Sequence, residues 1–346
     1  MKRVGITFCL AVVFVVGSAE HIVGSAEHIV GGAEHVVGSE EHVVSSAELI
    51  VGSAGRMGAI ICSAERAREV QSVRFLADDL VVFEQIMTLL EPLREKPMQM
   101  RILTAAQAML GMPYVAGTLE HTKEALTVSL AGTDCILLVE ACVCMALTAA
   151  QEDRSFNAFC ENLLQLRYRN GKIDGYSSRI HYTSEWILQA EALGLAKEIS
   201  YYPGGIPLVQ EISYMSTHAH QYTALASDPD MTKRIAHIER QLEQQMKQKG
   251  SCYVPKEHID SALEWIQPGD MICFVTTIKG LDISHVAFAW GSGSDGLTVT
   301  TGQPVTAFLH ASSTEKKVII DKKTIKEYAT GIQSCKGIRV VRFLGG

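Results

Sequence analysis

One cysteine in the chain lies where local structure favours a reactive thiolate. Cys135 follows Thr133 and Asp134, and an apolar run to Ala150 comes after it. Because Thr and Asp are good N-cap residues, the pattern predicts a helix with Cys135 in its first turn. The unpaired backbone N–H groups and the positive end of the helix dipole at such a position stabilise a thiolate. Cys135 is therefore a candidate nucleophile, and the alternative is a packed core thiol.

A nucleophilic cysteine needs a base, and two histidines of the C-terminal part are candidates. His285 begins one predicted strand and His310 ends a later one, a separation that suits neighbouring antiparallel strands. In such a pair His310 could bond the second ring nitrogen of His285 and orient the ring toward Cys135. The alternative is that both histidines are structural.

Hydrophobic spacing predicts the elements that would position these residues. Apolar residues recur at helical spacing over 76–93 and 101–110, and the cysteine helix runs to Ala150. After Pro268-Gly269 the pattern changes to short β-rich runs separated by Gly, Ser and Asp turns. The predicted strands are 271–278, 285–290, 297–301, 305–310, 317–320 and 337–343. Helices followed by an antiparallel sheet make an α+β fold.

Several motifs, in order along the chain, resemble one family. They are LGMPYVAGTLE at 110–120, TDC at 133–135, PGD at 268–270, SHV at 284–286 and LHAS at 309–312. This order is similar to that of the NlpC-type, papain-like cysteine hydrolases of the bacterial cell wall. Closer resemblance to the N-acetylmuramoyl-L-alanine amidase-like branch lies in YRNG at 168–171, SRIHYTSEW at 178–186 and MS at 215–216. The resemblance covers residues 75–345.

The resemblance implies a papain-like core in which the helix that carries the nucleophile packs on an antiparallel sheet, with helical insertions. It implies that Cys135 is the nucleophile, His285 the general base and then acid, and His310 the polar third member. No metal ion and no organic cofactor are implied. Thr133 stands where the branch often has an aromatic residue, and Ile136 replaces a small or polar one. Both departures would reshape the pocket without changing the triad.

Six residues of the matching motifs are candidates for substrate binding. Tyr114 resembles the tyrosine that lines the active site of the family. Arg179 and His181 could hold a substrate carboxylate, since a guanidinium offers a planar fork of donors. The alternative for Arg179 is a structural salt bridge. The full set is Tyr114, Asp134, Arg179, His181, Tyr182 and Ser284.

The N-terminal residues predict export. Lys2 and Arg3 precede an apolar run over 4–16, and Gly17-Ser18-Ala19 follows it. This is the pattern of a secretory signal peptide over residues 1–19. A membrane anchor is the alternative, but the run is short for a span. We expect a periplasmic or secreted bacterial protein without an integral membrane segment after signal cleavage.

The region behind the signal peptide is repetitive. Residues 16–57 repeat a seven-residue unit, VGSAEHI and close variants. Heptads are typical of coiled coils, but Gly disfavours a helix by about 1 kcal/mol per position. We therefore expect a flexible leader over 20–70. A single hydrolase domain then spans 71–346, and its segment 155–256 is an insertion that sets substrate specificity.

The net charge of the chain and its resemblance to cell-wall hydrolases together limit the functions that we expect. The net charge is −7 and no block of Lys and Arg is present, which argues against nucleic acid as a partner. The leading expectation is an exported peptidoglycan hydrolase, a cysteine-dependent N-acetylmuramoyl-L-alanine amidase that forms a thioester with peptidoglycan or muropeptides. The alternatives are a γ-D-glutamyl-diamino acid endopeptidase of the cell wall and a papain-like acyltransferase.

Overall fold

Two β-sheets organise the structure, a computed structural model that describes residues 41–44, 73–291, 304–305 and 307–345. The smaller sheet has three strands, β1 (Glu41–Val44), β2 (Val73–Leu76) and β3 (Leu126–Thr127). β1 is antiparallel to β2, and β3 is parallel to it. The remaining strands form the larger sheet.

The larger sheet has eight strands, and all its pairs are antiparallel. Its order is β10-β9-β8-β7-β11-β6-β5, and β4 also pairs with β11. The bounds are β4 (Ala196–Glu198), β5 (Ile206–Pro207), β6 (Cys252–Pro255), β7 (Met271–Thr276), β8 (Ile283–Trp290), β9 (Ala307–Ser312), β10 (Lys317–Ile320) and β11 (Cys335–Phe343). The strand that carries His285 therefore has a neighbour on each side.

Both faces of the larger sheet are covered by apolar cores. Successive side chains of a strand point to opposite faces, so neighbouring residues belong to different cores. Along β7, Cys273 belongs to the apolar core that contains most of the helices. The next residue, Phe274, belongs to a second apolar core. Every residue of β7 and β8 is buried. This packing on both faces holds the side chains of β8 in place.

Ten α-helices are present in the described part of the chain. They are α1 (Ala77–Leu90), α2 (Met98–Ala108), α3 (Cys135–Ala150), α4 (Phe156–Arg167), α5 (Thr183–Ala192), α6 (Tyr214–Thr217), α7 (Thr223–Ala226), α8 (Pro229–Lys249), α9 (Ile259–Ala262) and α10 (Ile325–Gly331). The predicted α+β arrangement with an antiparallel sheet agrees with these elements. The strand predicted at 297–301 lies outside the described residues, and the papain-like assignment stays a prediction.

The segment predicted to be an insertion, 155–256, has a small apolar core of its own. The amphipathic helix α8 buries Ile235, Leu242 and Met246 on one face. This face packs with Tyr176 and Tyr182 in a third apolar cluster. The role of the segment in specificity stays a prediction.

The N-terminal predictions concern residues that are largely outside the described part of the chain. This holds for the signal peptide over 1–19 and, apart from Glu41–Val44, for the leader over 20–70. Among the described residues no helix is long and apolar enough to cross a bilayer.

Candidate active site

Cys135 is the first residue of α3, as the capping pattern predicts. Asp134 is the N-cap, and its Oδ1 atom accepts hydrogen bonds from the backbone N–H groups of Ile136 at 3.1 Å and Leu137 at 3.0 Å. Cys135 is 3 % exposed. Its sulfur therefore lies at the positive end of a buried helix, where a thiolate is favoured.

The helix α3 is packed on nearly all sides by other parts of the protein. Every residue of α3 except Leu147 and Ala150 is buried. α3 packs against α2 and α4, and it also packs against β8 and β9 of the larger sheet. Cys135 belongs to the same apolar core as Ile283 and Val286 of β8. The fold thus brings the cysteine helix onto the two strands that carry the candidate histidines.

Other buried cysteines differ chemically from a nucleophile. Burial raises the pKa of Cys142 and of Cys273 far above the ordinary thiol value. Burial also raises the pKa of Cys160 to about 12, against a lowering effect of Arg167. These thiols stay protonated at neutral pH and pack as small apolar groups.

His285 and His310 are in direct contact across β8 and β9. The Nε2 atom of His285 lies 2.6 Å from Nδ1 of His310. Both rings are buried, and the ring of His285 is 4 % exposed. The rings of Phe274 and Tyr328 pack against His285, with centroid distances of 5.8 Å and 5.7 Å. The predicted histidine pair is therefore formed, in a mainly apolar environment.

The histidine pair continues to a carboxylate that the sequence interpretation missed. Nε2 of His310 lies 3.2 Å from Oδ2 of Asp321. In the register of β9 and β10, His310 is opposite Ile319. A residue two positions after Ile319 points to the same face as His310. An acidic residue two positions beyond the partner of His310 was the signal that could have identified Asp321.

One nitrogen of the histidine pair remains unpaired among the described residues. Nδ1 of His285 is buried and has no hydrogen-bond partner there. Burial lowers the pKa of His285 well below its ordinary value, and the neighbouring His310 lowers it further. The imidazole of His285 is therefore neutral at physiological pH. It has one ring nitrogen bonded and the other available for a proton.

Arg179 lies in a buried ion-pair cluster with two glutamates, and its role in substrate binding stays a prediction. Its side chain is 1 % exposed. Nη2 donates to Oε1 of Glu120 at 2.8 Å, and Nε lies 3.0 Å from Glu124 without hydrogen-bond geometry. Burial alone would lower the pKa of Arg179, but Glu120 and Glu124 raise it above the ordinary value. The guanidinium fork is already occupied by carboxylates of the protein, as in the salt-bridge alternative.

His181 and Tyr182 are also buried within the protein. Nε2 of His181 lies 2.9 Å from the carbonyl oxygen of Tyr176, and the two rings pack at 4.5 Å. The hydroxyl of Tyr182 donates to Glu239 at 2.6 Å and accepts from the backbone N–H of Met215 at 3.0 Å. These contacts hold Tyr182 against α6 and α8, inside the predicted insertion 155–256, and the role of His181 and Tyr182 in substrate binding stays a prediction.

The other three candidates lie near the ends of α3 and β8. The carboxylate of Asp134 is committed to the helix cap, and burial raises its pKa to about 6. Ser284 is buried, and its hydroxyl donates to the carbonyl oxygen of Phe274 at 3.3 Å. Tyr114 is half-buried and pairs with Thr133, next to the cap. Of these three residues, Tyr114 is partly exposed, whereas Asp134 and Ser284 are buried.

The described residues offer no grouping of three or more His, Cys, Asp or Glu side chains that could hold a metal ion. The groups of the site that can take part in proton transfer are the thiol of Cys135, the imidazoles of His285 and His310 and the carboxylate of Asp321.

A family model matches more than half of the chain. The family model of AmiA-like, N-acetylmuramoyl-L-alanine amidase-like proteins matches residues 104–337, a span that contains Cys135, His285, His310 and Asp321. No curated protein matches the chain.

Solved structures are similar over most of the chain. The crystal structure of an N-acetylmuramoyl-L-alanine amidase from Bacteroides uniformis is 34% identical and has a TM-score of 0.61, covering 71% of this chain and 98% of the amidase. A Bacteroides fragilis protein with a suggested xylanase activity is 36% identical with a TM-score of 0.59, covering 68% of this chain and 98% of its own. A Legionella pneumophila protein, 21% identical with a TM-score of 0.53 and covering 77% of this chain and 95% of its own, shares the fold. The chain belongs to the AmiA-like, N-acetylmuramoyl-L-alanine amidase-like family.

Proposed function

We propose that the chain is a cysteine-dependent N-acetylmuramoyl-L-alanine amidase that acts on bacterial peptidoglycan through a papain-like catalytic core. Family membership and the name of the Bacteroides uniformis relative support the amidase reaction. The cysteine mechanism is supported by one observation above the others. A buried chain of hydrogen bonds through His285 and His310 ends in an unpaired Nδ1 atom, on a sheet against which the Cys135 helix packs.

The first half of the proposed reaction forms a thioester. The thiol proton of Cys135 passes to Nδ1 of His285, and the sulfur attacks the lactyl carbonyl carbon of N-acetylmuramic acid. The backbone N–H of Cys135 stabilises the oxyanion that develops. The imidazolium of His285 then gives its proton to the amine of L-alanine as the C–N bond breaks, so the stem peptide leaves and the lactyl group stays on the sulfur.

The second half releases the sugar. His285 removes a proton from water, the hydroxide attacks the thioester carbonyl, and the thiolate of Cys135 leaves and recovers its proton. His285 can serve as base and then as acid because its pKa is low when the site is at rest and rises beside a thiolate. In this mechanism the protein residues carry out every proton transfer.

Mass spectrometry of purified disaccharide-peptides after digestion tests this function. An amidase releases the intact disaccharide and the intact stem peptide. Release of a fragment that begins with the diamino acid would instead identify an endopeptidase. Transfer of the lactyl group to an added amine, in preference to water, would identify an acyltransferase. Cys135→Ser is the matched control for background cleavage, and xylan is the control polymer, given the suggested activity of the Bacteroides fragilis relative.

We also infer that the protein is exported from a bacterial cell. The support is the pattern of residues 1–19, in which Lys2 and Arg3 precede a short apolar run and a small-residue cleavage site. Peptidoglycan lies outside the cytoplasmic membrane, so export would bring the enzyme to its substrate. N-terminal sequencing of the protein recovered from periplasm or medium should find a start close to residue 20, and a start at Met1 would contradict the inference.

A further inference from the structure

We propose that Asp321 is a positioning residue, which sets the tautomers of His310 and His285 and leaves Nδ1 of His285 free to accept the thiol proton. The proposal rests on the proposed cysteine mechanism and extends it to a residue outside the predicted triad. Oδ2 of Asp321 lies 3.2 Å from Nε2 of His310. Its side chain is 16 % exposed, at the end of β10.

The tautomers follow from which atoms can donate. An ionised carboxylate only accepts hydrogen bonds, so Nε2 of His310 must carry the proton that lies toward Asp321. In a neutral imidazole the other nitrogen is then an acceptor, and Nδ1 of His310 can only accept. Nε2 of His285, 2.6 Å away, must therefore be the donor. Nδ1 of His285 is left as a lone pair.

Asp321 is ionised in the folded protein. Burial by itself would raise the pKa of its carboxyl group. The hydrogen bond with His310 and that from the backbone N–H of Lys323 outweigh this effect, so the pKa lies below its ordinary value. The titratable groups that act on the Asp321 carboxylate are His310 and Lys323. Tyr328 of α10 packs on both imidazoles, with centroid distances of 5.7 Å.

The second contact of Asp321 makes asparagine a diagnostic substitution. Oδ1 accepts a hydrogen bond from the backbone N–H of Lys323 at 2.8 Å. A backbone N–H can only donate, so it would take the single oxygen of an asparagine. The asparagine NH2 group would then face Nε2 of His310 and require that atom to accept. Both imidazoles would change tautomer, and Nδ1 of His285 would carry a hydrogen.

A kinetic series on the full-length protein tests the proposal, with soluble disaccharide-peptide as the substrate. We expect Asp321→Asn to fold normally and to lower kcat by about 100-fold, with KM changed less than about twofold. Asp321→Ala removes the hydrogen bond that favours one tautomer of His310, but it does not impose the other tautomer. We therefore expect kcat to fall by about tenfold. Glu315→Gln, an exposed acidic residue in the turn before β10, is the matched control and should keep wild-type rates.

The ranking of the kcat values of Asp321→Asn and Asp321→Ala distinguishes a positioning role from a purely structural one. A residue that only supports the turn would be replaced better by asparagine than by alanine. A milder effect of Asp321→Asn than of Asp321→Ala would therefore overturn the proposal.

A second measurement does not depend on activity. In protein with ¹⁵N-labelled histidine, chemical shifts at pH 7.5 should show an unprotonated Nδ1 and a protonated Nε2 for His285, and the reverse in Asp321→Asn. A protonated Nδ1 in the wild type would overturn the tautomer assignment even if the variants failed to fold. Failure of the proposed function would look different. In that case the wild type would not cleave disaccharide-peptides, or Cys135→Ser would be as active, whatever the tautomers.

Discussion

His285 and His310 lie 25 residues apart in the chain, yet their ring nitrogens are 2.6 Å apart across two adjacent strands. The contact occupies Nε2 of His285 and leaves Nδ1 without a hydrogen-bond partner among the described residues. A buried imidazole with one bonded and one available nitrogen is the arrangement that a general base requires.

Replacing Cys135 should remove activity without unfolding the protein. Cys135→Ser keeps the size of the side chain and the capping carboxylate of Asp134, but a hydroxyl is a far weaker nucleophile. We expect kcat to fall by at least about 1,000-fold, measured as release of stem peptide. Cys142→Ala and Cys273→Ala are the matched controls, since both thiols are buried and protonated. Equal inactivity of a folded control variant would rule out Cys135 as the unique nucleophile.

His285 should be more important for turnover than His310. His285→Ala removes the proposed base, and we expect no measurable turnover. His310→Asn should keep activity, because the amide oxygen can accept from Nε2 of His285 while the NH2 group donates to Asp321. His310→Ala, which can do neither, should be slower than His310→Asn. Initial rates at saturating disaccharide-peptide measure the ranking, and complete loss in a folded His310→Asn would contradict it.

Removing Arg179 should destabilise the fold rather than weaken substrate binding alone. Glu120 and Glu124 would lose their buried partner, and such a loss typically costs about 3–5 kcal/mol in the free energy of unfolding. Urea titration of Arg179→Ala measures it. Arg154→Ala is the control, because Arg154 pairs with the exposed Glu91 at 2.7 Å and should contribute at most about 1 kcal/mol. If Arg179→Ala were as stable as wild type but had a raised KM, substrate binding would be its role.

His181 should make stability depend on pH. Burial, and then the charges of Arg179 and Arg169, lower the pKa of His181 well below its ordinary value. The unfolded chain therefore takes up a proton near pH 6.5 while the folded protein does not. The free energy of unfolding should thus decrease as pH falls below about 6.5, by up to about 1.4 kcal/mol per pH unit for this one group.

Comparing wild type with His181→Gln isolates the contribution of His181 to the pH dependence of the free energy of unfolding. Urea titrations of wild type and His181→Gln at pH 7.5, 6.5 and 5.5 compare the two slopes, so that other titrating groups cancel. The curve of His181→Gln should be flatter over this range. Parallel curves would show that His181 has the same pKa in the folded and unfolded chain.

The sequence by itself determined the features that depend on neighbours along the chain. A helix cap is local, so Asp134 and the position of Cys135 at the start of α3 could be read from adjacent residues. Alternation and turn residues likewise predicted β7, β8 and β10 within a few residues of their observed ends. The spacing of His285 and His310 indicated adjacent strands, because an antiparallel connection brings such residues together.

Only the tertiary structure decided which side chains meet between distant segments. Asp321 belongs to the histidine pair because the register of β10 against β9 places it on the same face as His310. The motif around Arg179 gave no sign that this residue is buried. Arg179 packs against two glutamates that lie 59 and 55 positions earlier in the chain. Register and burial result from packing the whole domain, and the free energy that selects them is shared among many contacts. A motif of a few residues therefore predicts the type of chemistry, whereas the packed fold selects the partners that carry it out.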